Sequence, residues 1–233
     1  MNLLVLDTSG PVCGVAVLDG ARVLSEYAAR NRNTHSTSLM PMVERSLESA
    51  GRTLAEMDAL AVVTGPGSFT GVRIGVATVK GLAHGSGKPC IPVDALEALV
   101  WSTGRPDWDG LILPMQDARA GQVYGAVFRG RERLTENAPV RLEELLAQAK
   151  GMTGGKLLVT GDGAEAHREK IRELLGDIAV FPEPEFAYLR PACAGRLALE
   201  KGQAVDYLHL RETYLRPPNA EKNKKLLEAM RHE

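Results

Sequence analysis

Several polar clusters in this 233-residue chain have the residue types and spacing needed to handle an anionic ligand. Asp7-Thr8-Ser9-Gly10 lies between two apolar runs, so it forms a turn whose amides and hydroxyls could hold a phosphate. Gly65-Pro66-Gly67-Ser68-Phe69-Thr70-Gly71 ends the apolar run Leu60–Val63 and opens a helix-length segment. Such a strand–loop–helix junction points backbone N–H groups and a helix N-terminus at anything anionic. Asp117-Ala118-Arg119 follows an apolar run as Asp7 does, and Gly161-Asp162-Gly163-Ala164 is a further tight turn. Asp7, Asp117 and that last turn are the groups a Mg-nucleotide site would use, although no Walker lysine accompanies them.

Other chemistries find less support. His35 has no second His, Cys or carboxylate at ligand spacing and reads as a capping or loop hydrogen-bonder. No metal site is expected. Cys13, Cys90 and Cys193 show no C-x-x-C spacing, which gives no metal or redox motif and fits a reducing cytoplasm. A zinc peptidase would need H-E-x-x-H, which is absent. Ser68 and His35 could be imagined as a serine-peptidase pair, but the G-x-S-x-G arrangement is missing.

The elements that must position these clusters follow from periodicity. Apolar alternation predicts strands at residues 3–6, 12–18, 22–30, 60–64 and 90–93, with helices at about 38–50, 70–85 and 94–101. Pro41 is expected in the first turn of the 38–50 helix, where its missing N–H costs little. The opening three-strand meander without a G-x-G-x-x-G excludes a Rossmann start. The order β-β-β-α-β-α-β-α is one half of an actin-like (ribonuclease H-like) fold. Residues 110–129 repeat the strand–turn–strand opening. The chain therefore reads as α/β and two-lobed, with mixed sheets flanked by helices and a reduced second lobe. The expected division is an N-terminal lobe over 1–103, a C-terminal lobe over 104–220 and a charged terminal helix over 221–233. In the second half, helices are expected at 143–150, from the 161–164 turn to about 175, and at 192–201, with a strand at 156–160.

The helix at 70–85 carries one apolar stripe, Val72, Val76, Val79 and Ala83, beside a second of smaller side chains, Gly71, Gly75, Thr78 and Leu82. Small residues four apart admit another backbone. That backbone belongs either to the helix's own sheet or to a second chain, and both can hold. Elsewhere the composition is ordinary: 44% hydrophobic, a net charge of −1 and 5% aromatic residues argue against a generally basic or stacking nucleic-acid binder. No apolar stretch approaches the roughly 20 residues that span a bilayer. The expected location is the cytoplasm.

Taken together, Asp7-Thr8-Ser9, His35-Ser36 with Leu39 and Pro41, the string Gly65–Gly75, Asp117-Ala118-Arg119 with Gly121, Val123 and Tyr124, and Tyr214-Leu215-Arg216 resemble the TsaB family of bacterial tRNA threonylcarbamoyladenosine biosynthesis proteins. The Gly65–Gly75 string is the specific one; the others fall in the right order along nearly the whole chain. The resemblance implies a non-catalytic relative of the catalytic subunit TsaD. The family pairs with TsaD and is joined by the ATPase TsaE. Together they transfer threonylcarbamoyl to the adenosine 3′ of the anticodon in tRNAs reading A-starting codons.

In that family the two helices matching 38–50 and 70–85 meet the partner, or form a homodimer when it is absent. Here this implies Leu39, Met40, Val43, Leu47, Arg73, Val76, Ala77 and Lys80 as partner-binding residues. Asp7, Thr8, Ser9, Gly65, Pro66, Gly67, Ser68, Asp117 and Arg119 become relics of a nucleotide cleft, with no cofactor held firmly. ATP, ADP and Mg belong to the complex, and tRNA contact is indirect. Ala95 and Leu99 stand where the catalytic relative carries a metal-binding histidine pair, and neither can donate a lone pair. An active actin-like ATPase or small-molecule kinase is the alternative reading, ahead of a peptidase. The terminal Lys222, Lys224, Lys225 and Arg231 read as a solvated helix face rather than a tRNA contact.

Overall fold

A computed structural model of the chain describes residues 1–30 and 34–216. The expected helix over 221–233, with its basic residues, lies outside the described residues.

The first sheet is built from β1 (Asn2–Asp7), β2 (Cys13–Asp19), β3 (Arg22–Ala29), β4 (Ala59–Gly65) and β5 (Cys90–Asp94). Its order is β3-β2-β1-β4-β5, antiparallel across the opening meander and parallel from β1 onward. Alternation sends successive side chains of one strand to opposite faces. Leu4 and Leu6 of β1, with Leu60 and Val62 of β4, meet α1 (His35–Ala50) and α2 (Phe69–Ser86) through Leu39, Val43, Val72, Val76 and Val79. Leu3 and Val5, with Ala61 and Val63, face α3 (Ala95–Ser102) and the late helix α7 (Pro191–Lys201).

The second sheet contains β6 (Leu111–Asp117), β7 (Gln122–Gly125), β8 (Phe128–Arg129), β9 (Glu132–Arg133), β10 (Ala138–Arg141), β11 (Leu157–Thr160) and β12 (Ala179–Val180). Its main path, β10-β7-β6-β11-β12, repeats the first sheet position by position, including the change from antiparallel to parallel pairing at β6. The fold is the expected two-lobed actin-like one. The reduction lies in element length rather than in sheet positions, since β12 has two residues where β5 has five. Leu113, Met115 and Val159 pack on α4 (Leu142–Met152), α5 (Asp162–Ala166) and α6 (Arg168–Leu175).

Some expectations are corrected. The helix expected to run from the 161–164 turn to 175 breaks at His167, so α5 and α6 are separate. The helix expected from Ser38 begins at His35, which puts Pro41 in its second turn, where it removes the bond to the Thr37 carbonyl. The lobes also do not follow the chain in a single cut. Pro191 packs where a Cβ on Gly14 of β2 would sit at 2.9 Å, and Gly195 lies against Val5 and Leu18. Residues 191–216 thus return to the first sheet, where Val205 and Cys90 exchange backbone hydrogen bonds of 2.8 Å in both directions.

Candidate functional site

Between the lobes is a cleft of about 910 Å³, bounded by the β1–β2 turn, the α2 N-terminus, the β6–β7 turn, the start of α5 and the segment 213–216. Asp7, at the end of β1, and Asp117, at the end of β6, occupy matching places in the two sheets. The floor is a short polar chain. Asp7 Oδ1 accepts from the Ser9 N–H at 2.9 Å and the Ser9 hydroxyl at 2.7 Å, and Ser9 Oγ in turn accepts from Gln116 Nε2 at 3.2 Å. Gln116 is buried, its Oε1 has no partner in the described structure, and with Asp162 it brings the second lobe against this turn.

Burial pushes the Asp7 carboxyl up to about 6, against the opposing pull of the Ser9 hydrogen bonds and of His35. Burial also raises Asp162, to about 6, with the charges of Asp117 and Asp7 adding to the effect. Asp162 Oδ2 accepts from the Asp117 N–H at 3.3 Å. His35 Nε2 lies 2.9 Å from the Gly10 carbonyl, so it donates there as a loop hydrogen-bonder. The Arg119 N–H donates to Asp117 Oδ1 at 2.9 Å and its guanidinium stands 3.9 Å from the same carboxylate. Arg119 thus both pairs across its own turn and lines the cleft.

The glycine loop turns inward. Ser68 caps α2 by accepting from the Gly71 N–H at 3.2 Å, and its own N–H donates to the Ser9 carbonyl at 2.8 Å. The Thr8 hydroxyl donates to the Gly71 carbonyl at 2.7 Å. A Cβ on Gly71 would collide with the Thr8 carbonyl, and one on Gly75 would come within 2.5 Å of Thr8 Oγ1. The close approach predicted by the small-residue stripe is therefore made by the chain's own β1–β2 turn. In that turn the Thr8 hydroxyl and the Ser9 carbonyl hold α2, while the Asp7 carboxyl and the Ser9 hydroxyl hold one another. Among the described residues the cleft lining carries the carboxylates Asp117, Asp162 and Glu165 and the guanidiniums of Arg30, Arg119 and Arg216 but no lysine, and Oδ1 of Asp7 is held by Ser9.

Of the residues expected on a docking face, Leu39, Val43 and Val76 are buried in the first lobe's core and cannot offer their side chains to another chain. This corrects their assignment: the spacing that marks them is the stripe facing their own sheet. Leu47 is half-buried against the same core. Met40, Arg73 and Ala77 are exposed, and Lys80 is partly so. Ala95 and Leu99 are fully buried among apolar neighbours. Tyr188, which lines the cleft, and His167, whose Nε2 stands 3.9 Å from Asp117 Oδ1, carry no signal of these places in the sequence pattern. For Gln116 the one signal is a polar residue at the C-terminal end of a buried strand.

The family model described as TsaD, tRNA N6-adenosine threonylcarbamoyltransferase, matches residues 22–187. A Bacillus subtilis (strain 168) protein named tRNA threonylcarbamoyladenosine biosynthesis protein TsaB is 34% identical over 95% of this chain and 96% of its own length. This chain belongs to the TsaB family. The Escherichia coli (strain K12) TsaB is 30% identical over 93% of this chain and 95% of its own. The solved structure of YeaZ from Pseudomonas aeruginosa superposes with a TM-score of 0.73 at 28% identity, covering 92% of this chain and 99% of that one. The TsaB likeness spans both lobes that border the cleft. No helix among the described residues is long and apolar enough to cross a membrane.

Proposed function

We propose that this chain is a non-catalytic subunit of the machinery that makes threonylcarbamoyladenosine in tRNA. In this reading it pairs with a TsaD-type catalytic subunit, which adds threonylcarbamoyl to the adenosine 3′ of the anticodon in tRNAs reading A-starting codons. A TsaE-type ATPase joins the pair, and ATP, ADP and Mg serve the assembly rather than this chain's own cleft. Contact with tRNA is indirect, the compartment is the cytoplasm, and a homodimer forms when the partner is absent. The names of the relatives support the pathway.

The observation that carries the non-catalytic role is the commitment of Thr8, Ser9 and Asp7 to one another and to the α2 N-terminus. A cleft that moves a phosphoryl group must aim such groups at the ligand. Ala95 and Leu99, buried in apolar core where the family resemblance puts a histidine pair in the catalytic relative, support the same role. The exposed Met40, Arg73 and Ala77, with Lys80 and Leu47 beside them, are the proposed remaining contacts with the partner.

The test is a drop-out reconstitution with tRNA, labelled threonine, bicarbonate, ATP and the partner proteins. Product should vanish when this chain is omitted, and none should form from this chain alone. Full product without it would end the proposal.

A further inference from the structure

We propose that Thr213–Arg216 is an intramolecular strap that ties the two lobes together and sets the opening of the cleft. Leu210, fully buried in the first lobe's core, anchors the segment. From there the backbone runs along the end of β4, where the Thr213 N–H donates to the Thr64 carbonyl at 2.7 Å. Passage at this point depends on Gly65, whose φ is +118° and whose absent Cβ would fall 2.6 Å from the Thr213 carbonyl. Next, the Tyr214 ring stacks 4.9 Å from Phe69 at the head of α2, and the Arg73 guanidinium lies over the same Phe69 at 5.1 Å.

Arg216 then reaches the other lobe. Its guanidinium donates to the Ala118 carbonyl at 3.3 Å and to Gln122 Oε1, gripping both ends of the β6–β7 turn. A guanidinium fork with two acceptors in one turn is a directional clamp rather than a diffuse charge contact. All four strap residues line the cleft together with Ser9, Gln116 and Asp162. Among the described residues the lobes are therefore joined across the cleft by Ser9–Gln116 at the floor, by the strap along one wall and by Arg30, which donates to the Tyr188 hydroxyl. In a two-lobed protein that opens and closes, a ligand touching both lobes supplies such a bridge; in this chain its own sequence supplies it. The consequence is a cleft of fixed opening whose rim is a single rigid surface.

The experiment is a distance measurement by pulsed electron paramagnetic resonance on the full chain. Spin labels go at Thr70→Cys and Ala166→Cys, exposed positions on opposite rims, in a Cys193→Ala background. Hydrogen exchange is followed in parallel at residues 118–122. With Arg216 in place the distance distribution should be single and narrow. Arg216→Ala should broaden it and speed exchange of the β6–β7 turn about tenfold or more, with β1 and β4 amides unchanged. Arg216→Lys, which keeps the charge but loses the fork, should fall between the two. Gln122→Ala removes one of the two acceptors of the Arg216 clamp from the other lobe; it decides alone if Arg216→Ala loses core protection. Broadening in the deciding variant supports the strap, and an unchanged distribution and unchanged exchange overturn it.

Discussion

At Gly71 and Gly81 the same residue type serves two different ends, and the difference is measurable. Gly71 sits on the inner side of α2, where any side chain meets the Thr8 carbonyl, whereas a Cβ on Gly81 would meet open space. Gly71→Ala should therefore cost about 1–3 kcal/mol, the usual size of an overpacking penalty. Gly81→Ala should instead gain up to about 1 kcal/mol from helix propensity. Urea midpoints for the two variants separate the cases, and a neutral Gly71→Ala would mean the β1–β2 turn yields freely.

The carboxyls of Asp7 and Asp162 give a pH signature of fixed sign. Both are raised to about 6 from an ordinary 3.8, so the folded chain holds their protons more tightly than the unfolded chain does. Their effect on stability is fully favourable below the ordinary carboxylate range and is lost as pH rises through about 6. Stability should thus increase on going from pH 7.5 to pH 5. Asp162→Asn, which keeps an acceptor for the Asp117 N–H, should flatten the profile by on the order of 2 kcal/mol. Urea titrations at both pH values check this; a slope identical to that of the unmodified chain would show that Asp162 is ionised throughout.

Within α2, alternate faces do separate work. The Val72, Val76, Val79 and Ala83 stripe is buried, and Arg73, Ala77 and Gly81 look outward. If the outward face meets a TsaD-type partner, Ala77→Glu should weaken that assembly at least about tenfold while leaving the thermal midpoint of the isolated chain within a degree or two. Val76→Glu should instead unfold the chain, because it buries an unpaired charge. Light scattering of the mixed proteins distinguishes the two, and undiminished assembly by Ala77→Glu would move the interface elsewhere.

Periodicity located α2 and its stripes, since four-residue spacing is a local property. It could not say that Gly71 and Gly75 face Thr8, because that neighbour comes from more than sixty residues upstream. Nor could it find β9, β10 or β12, which run to only two or four residues and carry no full alternation. The break at His167 was invisible for a related reason: Arg168 to Leu175 continues a helical pattern that begins at Asp162. The site followed the same division. Asp7, Ser9, Asp117 and Arg119 were readable from turns after apolar runs, whereas Gln116 and the grip of Arg216 depend on which turns meet in space.

At the scale of the whole molecule the lobes share one core. Leu96, Ala98 and Leu99 of α3 pack in the same cluster as Ile112, Phe128 and Leu158 of the second lobe, with Trp101 and Trp108 against it. Arg133 adds an ion pair of 3.0 Å to Asp94, the residue that caps α3 by accepting from the Glu97 N–H. The expected division at residues 103 and 104 thus falls beside a core to which both lobes contribute. Tryptophan fluorescence and far-ultraviolet circular dichroism should lose signal in one coincident transition, as for a single cooperative unit. Two separated transitions would assign the lobes independent stability.

The return of residues 191–216 to the first sheet bears on how the molecule is made. Ribosomes deliver chains from the N-terminus, and domains commonly fold as they emerge. Here β1 to β5 leave the ribosome about a hundred residues ahead of the helix that covers one of their faces and of Val205, which pairs with Cys90 at the edge of β5. Throughout that interval an apolar face and an unpaired strand edge stand open, the surfaces on which nascent chains recruit one another. A stretch made about a hundred residues later is therefore what completes the first sheet, and a chain that stops short of Val205 leaves its oldest strands unprotected.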